Sequence, residues 1–340
     1  MQNTYQCPSC SAAVELRQSV FVCTGCSKQY LSKDKIAFLL DEQNLGWADK
    51  KLRDDFYDGL LGRFYQRLMP LLSLPARPLA ISKLDWFIFG VTWLLLFISL
   101  FFTLMIFNPD VWIGWKVVGC MMTLLLSWFF VKHPHFFHLL WTAIPAKFSL
   151  EKEKYVYSKS FAELHSNIQT KLTEENKPLR LLDISTGTGN SLLRHGWTKM
   201  NASLTGFDLS ETMLRQLQNT AQELAIPIDL VIGDATRLPF ADESFDVVTN
   251  YGAINGYTNI EMALKEMVRV MKPGGYGVFL DEQLYKNASW IEQQYFSRVL
   301  SSHNLIHHCP IEFLPETIKD VVVHQVYEFY YLCVFRKPAN

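Results

Sequence analysis

Short glycine-rich and acidic segments in the second half of the chain have the composition of a nucleotide-binding site. The apolar run at residues 181–184 contains Asp183 and is followed by Gly187 and Gly189, which let backbone N–H groups approach a ligand closely. Asp208 ends the next apolar run, at the spacing where a carboxylate accepts hydrogen bonds from both ribose hydroxyls. These residue types predict a site for an adenosine-containing ligand.

The glycine pattern by itself is a weak signal, because the third glycine of the dinucleotide fingerprint is missing. Asn190, Ser191 and Leu192 follow Gly189, so NAD is the poorer fit. An ordered series of further segments makes the pattern more specific. These segments are residues 231–235, 238–240, 244–251 and 264–275.

With this series, residues 179–338 resemble the class I S-adenosylmethionine-dependent methyltransferases, in particular the group that contains the ubiquinone and menaquinone C-methyltransferases. The resemblance implies that the glycine-rich loop approaches the methionine part of S-adenosylmethionine, that Asp208 holds the ribose and that Asp234 accepts from the adenine amino group. Ser185 stands where the family usually has glycine, which restricts positive φ without excluding binding. The predicted cofactor-binding residues are Asp183, Ser185, Gly187, Gly189, Asp208, Leu209, Asp234, Ala235 and Asn250.

Methyl transfer by in-line displacement depends on alignment, and it needs a base only when the acceptor is a poor nucleophile. Candidate side chains follow the predicted strands at their carboxyl ends. They are Tyr251, Asn255, Tyr257, Asp281, Glu282 and Tyr285. Of these, Tyr251 and Asp281 are the predicted catalytic residues.

The elements that must position these residues form an α/β fold, a doubly wound seven-stranded sheet over residues 179–340. Lys272-Pro-Gly-Gly275 is typical of a helix end that turns into a strand. The family pattern implies an antiparallel last strand. Strands are expected near residues 181–184, 203–207, 229–232, 245–249, 276–280, 321–326 and 330–335.

Two Cys-x-x-Cys pairs near the start of the chain have the spacing of a closed structural zinc site. The predicted ligands are Cys7, Cys10, Cys23 and Cys26. Residues 1–41 are therefore predicted to be a zinc ribbon, since so short a segment has little apolar core of its own. Disulfides are the alternative, but residues 1–18 lack the apolar core of a signal peptide, which favours a reducing cytosol.

Two apolar runs, residues 86–107 and 111–131, are each long enough to cross a bilayer. They predict a transmembrane hairpin over residues 86–131 and an integral membrane protein with two spans. Two buried helices or a re-entrant hairpin are the alternatives. Basic residues flank the hairpin and none lies in its turn, which predicts that the ribbon and the catalytic domain are both cytoplasmic.

The segments beside the hairpin complete the predicted organisation. Residues 42–85 are expected to form an amphipathic helix and linker, with apolar residues at four-residue steps, and residues 132–178 a juxtamembrane helical connector. The amphipathic helix either packs against the catalytic domain or lies in the membrane interface near a substrate entrance.

Composition and architecture together define the expected partners. The formal net charge is −1, so no overall basic field attracts nucleic acid. An enzyme held at a lipid bilayer favours a lipophilic acceptor, such as a lipid or an isoprenoid quinone. One alternative is an RNA methyltransferase that uses the ribbon for recognition. The other is a non-catalytic methyltransferase-like scaffold at the membrane that recruits a protein partner through the ribbon.

Overall fold

A computed structural model describes residues 5–63, 65, 91, 94, 95, 97, 98, 100–105, 112–132, 166–170, 179–284, 286, 288, 290–297, 304–327 and 330–339. The predicted linker beyond residue 65, most of the apolar run 86–107 and most of the connector 132–178 lie outside these residues. Tyr285, one of the candidate side chains, also lies outside them.

Eleven strands form one mixed sheet in the described part of the chain. They are β1 (Val14–Arg17), β2 (Val20–Cys23), β3 (Gln29–Lys33), β4 (Ile36–Phe38), β5 (Leu179–Ile184), β6 (Ala202–Asp208), β7 (Ile228–Ile232), β8 (Phe245–Tyr251), β9 (Met271–Glu282), β10 (Val321–Tyr327) and β11 (Tyr330–Arg336). Their order across the sheet is β1-β2-β3-β4-β7-β6-β5-β8-β9-β11-β10. The predicted α/β fold is confirmed by the seven strands β5 to β11 and the helices between them.

The central strands are parallel, and their carboxyl ends meet at one edge of the sheet. β5 pairs in parallel with both β6 and β8, and β11 pairs antiparallel with β9 and β10. Five of the six residues of β5 are buried, as expected for a strand covered on both faces. β6 lies on one side of β5 and β8 on the other, so the strand order reverses at β5. In sheets of this kind, ligands bind in the crevice at the carboxyl ends of the strands where the order reverses.

Seven α-helices are described, some of them short. They are α1 (Trp47–Leu52), α2 (Leu60–Arg63), α3 (Ile113–Lys132), α4 (Asn190–Arg194), α5 (Glu211–Glu223), α6 (Ile260–Val270) and α7 (Trp290–Tyr295), and a π-helical turn, Arg53–Tyr57, follows α1 directly. Ser210 caps α5 because its Oγ accepts from the N–H of Met213 at 3.1 Å. Leu214 and Leu217 of α5 are buried and pack beside Leu230 of β7.

The N-terminal strands continue the same sheet. β4 pairs in parallel with β7, with Ala37 opposite Val231. The apolar core also crosses this junction, because Phe21 belongs to the same cluster of buried side chains as Phe207. The edge of β7 that a seven-stranded sheet would leave open is therefore covered.

The prediction of an integral membrane protein with two spans is wrong. Over the residues that the structure describes, no helix is both long enough and apolar enough to cross a bilayer. The second apolar run supplies α3, in which Lys116 lies one turn after the start and Lys132 is the last residue. The uncharged stretch between them is shorter than the about 20 consecutive apolar residues that a bilayer core requires. The cytoplasmic orientation that was predicted from these spans loses its basis.

Candidate cofactor site and cysteine cluster

Asp208 ends β6 at the carboxyl edge of the sheet, and its carboxylate organises two loops. Its Oδ2 accepts from the N–H of Gly187 at 2.8 Å, and its Oδ1 accepts from the N–H of Ser210 at 2.9 Å. Burial raises the pKa of Asp208 to about 6, although these backbone hydrogen bonds act in the opposite direction. Each carboxylate oxygen keeps a lone pair for a further donor, such as a ribose hydroxyl.

Asp183, in the neighbouring strand β5, accepts a hydrogen bond from the described residues through only one of its two carboxylate oxygens. Its Oδ1 accepts from Thr249 Oγ1 at 2.6 Å, whereas its buried Oδ2 has no hydrogen-bond partner among the described residues. Burial raises the pKa of Asp183 to about 7. A buried carboxylate oxygen without a donor is costly, so this atom suits a cationic ligand group such as an ammonium.

The loop after β5 begins with an unusual backbone conformation at Ser185. Its φ is 54°, in the left-handed region that disfavours residues with a Cβ. The Ser185 hydroxyl pairs with the hydroxyl of Tyr257 at 2.6 Å, and Asn250 Nδ2 donates to the same Tyr257 oxygen at 2.7 Å. Asn250 Oδ1 is buried and has no partner among the described residues. The Tyr257 hydroxyl therefore holds the Ser185 side chain while its backbone adopts this conformation.

The two glycines of this loop serve different purposes. Both have positive φ, 54° at Gly187 and 79° at Gly189. A Cβ added to Gly187 would meet nothing within 4 Å, whereas a Cβ at Gly189 would lie 2.3 Å from Leu217 Cδ1. Gly187 borders open space, and Gly189 lets the loop pack against α5.

Asp234 follows β7 and lies one strand further along the same edge. Its Oδ1 accepts from both the N–H and the hydroxyl of Thr236 at 2.8 Å. Its neighbour Ala235 packs against the core, and Leu209, directly after Asp208, is half-buried. The nine residues predicted for cofactor binding therefore lie in β5, β6 and β8 or in the loops that follow β5, β6 and β7.

Tyr251, a predicted catalytic residue, is the last residue of β8. Its hydroxyl accepts from Trp197 Nε1 at 3.0 Å, and its ring lies 4.8 Å from the His195 ring, between centroids. Burial raises the pKa of Tyr251 well above its ordinary value. The structure thus places its hydroxyl in a contact with the segment that follows α4.

Asp281, the other predicted catalytic residue, is buried in β9. One of its carboxylate oxygens accepts from the N–H of Asn255 at 2.9 Å and the other from the N–H of Glu282 at 2.8 Å. Asn255 is itself held by the Tyr331 hydroxyl, which donates to Asn255 Oδ1 at 2.8 Å. Burial raises the pKa of Asp281 well above its ordinary value. These contacts fix the loop after β8 to the end of β9.

The four N-terminal cysteines form a compact cluster. Their Sγ atoms all lie within 4.8 Å of one another, with Cys7 and Cys26 at 3.7 Å and Cys10 and Cys23 at 3.4 Å. These separations exceed a disulfide bond of about 2.05 Å and are close to the about 3.8 Å between sulfurs around a tetrahedral zinc with bonds of about 2.3 Å. The N–H groups of Gly25 and Cys26 both donate to Cys23 Sγ at 3.3 Å. The cluster has the geometry and donors of a thiolate metal site.

Several residues at the site were not predicted from the sequence. Thr249 orients Asp183, and Asp58 accepts from Ser210 Oγ at 2.5 Å at the start of α5. Thr249 precedes the predicted Asn250 by one residue, so strand alternation places their side chains on opposite faces of β8. Asp58 is 152 residues from Ser210 in the chain, and no local pattern reveals such a contact.

Residues 182–279 match the family model described as “Methyltransferase domain”. The match begins in β5, ends in β9 and includes all nine residues predicted for cofactor binding. Residues 182–279 therefore have the sequence of a methyltransferase domain, which agrees with the predicted class of enzyme.

Three curated relatives illustrate this similarity. Ubiquinone/menaquinone biosynthesis C-methyltransferase UbiE of Cereibacter sphaeroides is 37% identical over 126 residues, which cover 36% of this chain and 50% of the relative. Demethylmenaquinone methyltransferase of Thermus thermophilus is 33% identical over 131 residues, covering 38% and 60%. Phthiotriol/phenolphthiotriol dimycocerosates methyltransferase 1 of Mycobacterium ulcerans is 40% identical over 103 residues, covering 30% and 37%. The chain spans about half the length of the first of these relatives.

Proposed function

We propose that this chain transfers a methyl group from S-adenosylmethionine to a lipophilic small molecule such as a lipid or an isoprenoid quinone. The observation that carries the cofactor assignment is a set of three buried side-chain oxygens that form no hydrogen bond among the described residues, Asp183 Oδ2, Thr186 Oγ1 and Asn250 Oδ1, at the edge where Gly187 borders open space. The acceptor class is supported by the relatives, whose names refer to ubiquinone, menaquinone and phthiotriol.

The residues present fit this cofactor group by group. Bound S-adenosylmethionine would supply an electrophilic methyl group on a positively charged sulfur. Asp183 would accept from the ammonium of its methionine part, and Asp208 from the ribose hydroxyls through the lone pairs that Gly187 and Ser210 leave free. Asp234 would accept from the adenine amino group through the oxygen that Thr236 does not engage.

Rate enhancement would then come mainly from alignment in a site closed to water. If the acceptor needs deprotonation, we propose Asp281 as the first residue to test, because burial raises its pKa above the ordinary value and so makes the ionised carboxylate a stronger base. The Tyr251 hydroxyl accepts from Trp197, which suits it better to shaping the site than to moving a proton.

We further propose that the four-cysteine cluster holds a structural zinc ion. Four thiolates complete a tetrahedral shell, so such a site has no open position for catalysis. The N–H donors on Cys23 Sγ lower the cost of holding a thiolate there.

Incubation of the purified full chain with methyl-labelled S-adenosylmethionine and a lipid extract tests the proposed reaction. After organic extraction, we expect label in the lipid phase with the wild type and none with Asp208→Ala. Asp320→Ala is the matched control, because Asp320 is an exposed carboxylate outside the site. Its product yield should equal that of the wild type.

The other outcomes separate the competing functions. Label in nuclease-sensitive material would indicate an RNA methyltransferase. If S-adenosylhomocysteine binds to the wild type but neither fraction is labelled, the acceptor proposal is wrong. Absence of binding in calorimetry would overturn the cofactor assignment itself.

A further inference from the structure

Residues 41–58 connect the cysteine cluster to the candidate cofactor site, and we call this segment the strap. At one point the strap contacts Thr258, in the loop after β8, through Asp49. At its end it contacts the start of α5, directly after β6. Because β5 lies between β6 and β8, a segment joining these two points crosses the carboxyl end of β5. These two contacts place the strap across the carboxyl end of β5, from which the loop with Gly187 and Gly189 begins.

The first anchor of the strap is Asp58. One of its carboxylate oxygens accepts from Ser210 Oγ at 2.5 Å and from the N–H of Thr212 at 3.0 Å. The N–H of Ser210 in turn donates to Asp208 at 2.9 Å. Ser210 thus links Asp58 to Asp208, the carboxylate that we assign to the ribose. It also occupies the positive end of α5, where a carboxylate is favourable.

The second anchor is the buried carboxylate of Asp41. Its Oδ2 accepts from Lys28 Nζ at 2.9 Å, from Asn44 Nδ2 at 2.8 Å and from the hydroxyl of Ser9. Ser9 lies between two cysteines of the cluster and contacts the Tyr30 hydroxyl at 3.0 Å. The base of the strap is therefore bonded to the loop that carries Cys7 and Cys10.

The Tyr30 hydroxyl closes the connection to the cluster, since it lies 3.2 Å from Cys7 Sγ. Within the strap, buried Arg53 pairs with Glu42 at 2.6 Å, which joins the base of the strap to its π-helical turn. Hydrogen bonds thus join the cysteine loop to Asp41, Glu42 to Arg53, and Asp58 to the start of α5, and the N–H of Asp58 donates to the carbonyl of Arg53 at 2.7 Å. The chain itself connects Asp41 to Glu42, so the strap is held at both ends and across its middle.

We propose that Asp58 and Asp41 are positioning residues that hold the strap closed over the cofactor, so that occupancy of the cysteine cluster sets how tightly the cofactor is retained. This inference rests on the proposed function, because it assumes that Asp208 and Gly187 bind S-adenosylmethionine and that the cysteines bind zinc. Neither residue touches the reacting atoms. Their effect is on the affinity and the dissociation rate of the cofactor.

The experiment measures S-adenosylhomocysteine binding and dissociation by calorimetry and stopped-flow fluorescence in the zinc-loaded full chain. Asp58→Ala removes both hydrogen bonds to the start of α5, and we expect the dissociation constant and the dissociation rate to rise about tenfold. Asp58→Asn keeps an acceptor oxygen and should recover most of the affinity. Asp55→Ala, an exposed carboxylate in the same turn, is the matched control and should bind like the wild type.

The cluster end of the strap is tested by Asp41→Ala and by removal of zinc with a chelator, followed by zinc restoration. We expect Asp41→Ala to weaken S-adenosylhomocysteine binding while its zinc content stays at the wild-type level. Removal of the metal should weaken binding to a similar extent, and restoration should reverse the loss. Thermal unfolding of every sample shows that binding was measured on folded protein.

Distinct results overturn distinct assignments. If Asp58→Ala lowers the unfolding temperature but leaves the dissociation constant unchanged, Asp58 has only a structural role and the inference is wrong. If Asp41→Ala and the metal-free chain bind like the wild type, the link to the cluster is wrong. If the wild type itself fails to bind S-adenosylhomocysteine, the proposed function fails and this inference fails with it.

Discussion

Three buried carboxyl groups, those of Asp183, Asp208 and Asp281, lie at the carboxyl edge of the sheet. Burial raises the pKa of each of them, and none of the described ion pairs includes them. Backbone N–H groups and hydroxyls stabilise their charge only in part. Such a site gains most from a ligand that carries positive charge, as the ammonium and sulfonium groups of S-adenosylmethionine do.

The raised pKa values lead to a pH dependence of cofactor affinity. Burial raises the pKa of Asp183 to about 7 and that of Asp208 to about 6, and the ammonium and ribose hydroxyls of the ligand prefer the ionised forms of these carboxylates. We expect the affinity for S-adenosylhomocysteine to rise with pH through this range. Below each pKa, affinity should fall about tenfold per pH unit for each group that must ionise.

Calorimetry at several pH values, in buffers of different ionisation enthalpy, measures this effect together with the protons released on binding. Asp183→Asn should abolish the step near the higher pKa and leave the step from Asp208. Affinity that does not change with pH across both values would contradict the proposed role of these carboxylates.

Tyr251 provides a second test at the residue scale. Because its hydroxyl accepts from Trp197, Tyr251→Phe should cost about 1 kcal/mol of folding stability and leave the methyl-transfer rate within about threefold of the wild type. Steady-state kinetics and thermal unfolding measure the two effects. A loss of 100-fold or more in kcat, with unchanged KM and stability, would instead make Tyr251 a catalytic residue.

The loop between β5 and α4 contains two glycines whose surroundings differ. Gly187 faces open space, and Gly189 faces Leu217 of α5. A positive φ therefore accompanies open space at Gly187 and close helix packing at Gly189.

Alanine substitutions should separate these tasks. Gly187→Ala should cost about 1 kcal/mol of stability from its backbone conformation, but lower S-adenosylhomocysteine affinity at least tenfold, because its Cβ enters the space left for the ligand. Gly189→Ala should cost about 2–3 kcal/mol of stability, because its Cβ collides with Leu217. Denaturant unfolding and calorimetry measure the two quantities. Equal losses of stability in both variants would refute this division.

At the scale of the whole molecule, the cysteine-containing segment and the methyltransferase domain share one sheet and one core. Apart from the β4–β7 pairing, the N–H of Gln6 donates to the carbonyl of Pro239 at 3.0 Å, and the Tyr5 and Phe240 rings lie 5.9 Å apart. With so many contacts across the junction, we expect both parts to unfold together.

Metal removal should therefore destabilise more than the N-terminal segment. We expect differential scanning calorimetry to show one transition for the zinc-loaded chain, and chelation to shift this whole transition to lower temperature. Cys120→Ser is the control, since Cys120 is exposed and lies outside the cluster. Two separate transitions, of which only the smaller responds to zinc, would show that the shared sheet does not couple the two parts.

Local spacing in the sequence was enough to predict that Asp183, Gly187 and Asp208 lie at one edge of an α/β sheet. It was also enough to predict that the four N-terminal cysteines lie together in one cluster. These features depend on residues close together in the chain and on strand periodicity, both of which can be read along the chain. The prediction that the apolar run 111–131 crosses a bilayer is wrong, because no described helix is both long enough and apolar enough, and Lys116 lies inside the run rather than at its end.

Contacts between distant parts of the chain became visible only in the folded molecule. The pairing of β4 with β7, and the position of Asp58 at the start of α5, join segments more than 150 residues apart. No local sequence pattern in β4 or in the strap predicts these contacts. An open strand edge can pair with many other strands, and a carboxylate can accept hydrogen bonds from many donors. The sequence thus determined which polar residues lie at the carboxyl edge of the sheet. Only the tertiary structure determined that β4 and the strap pack beside them, because those contacts join distant parts of the chain.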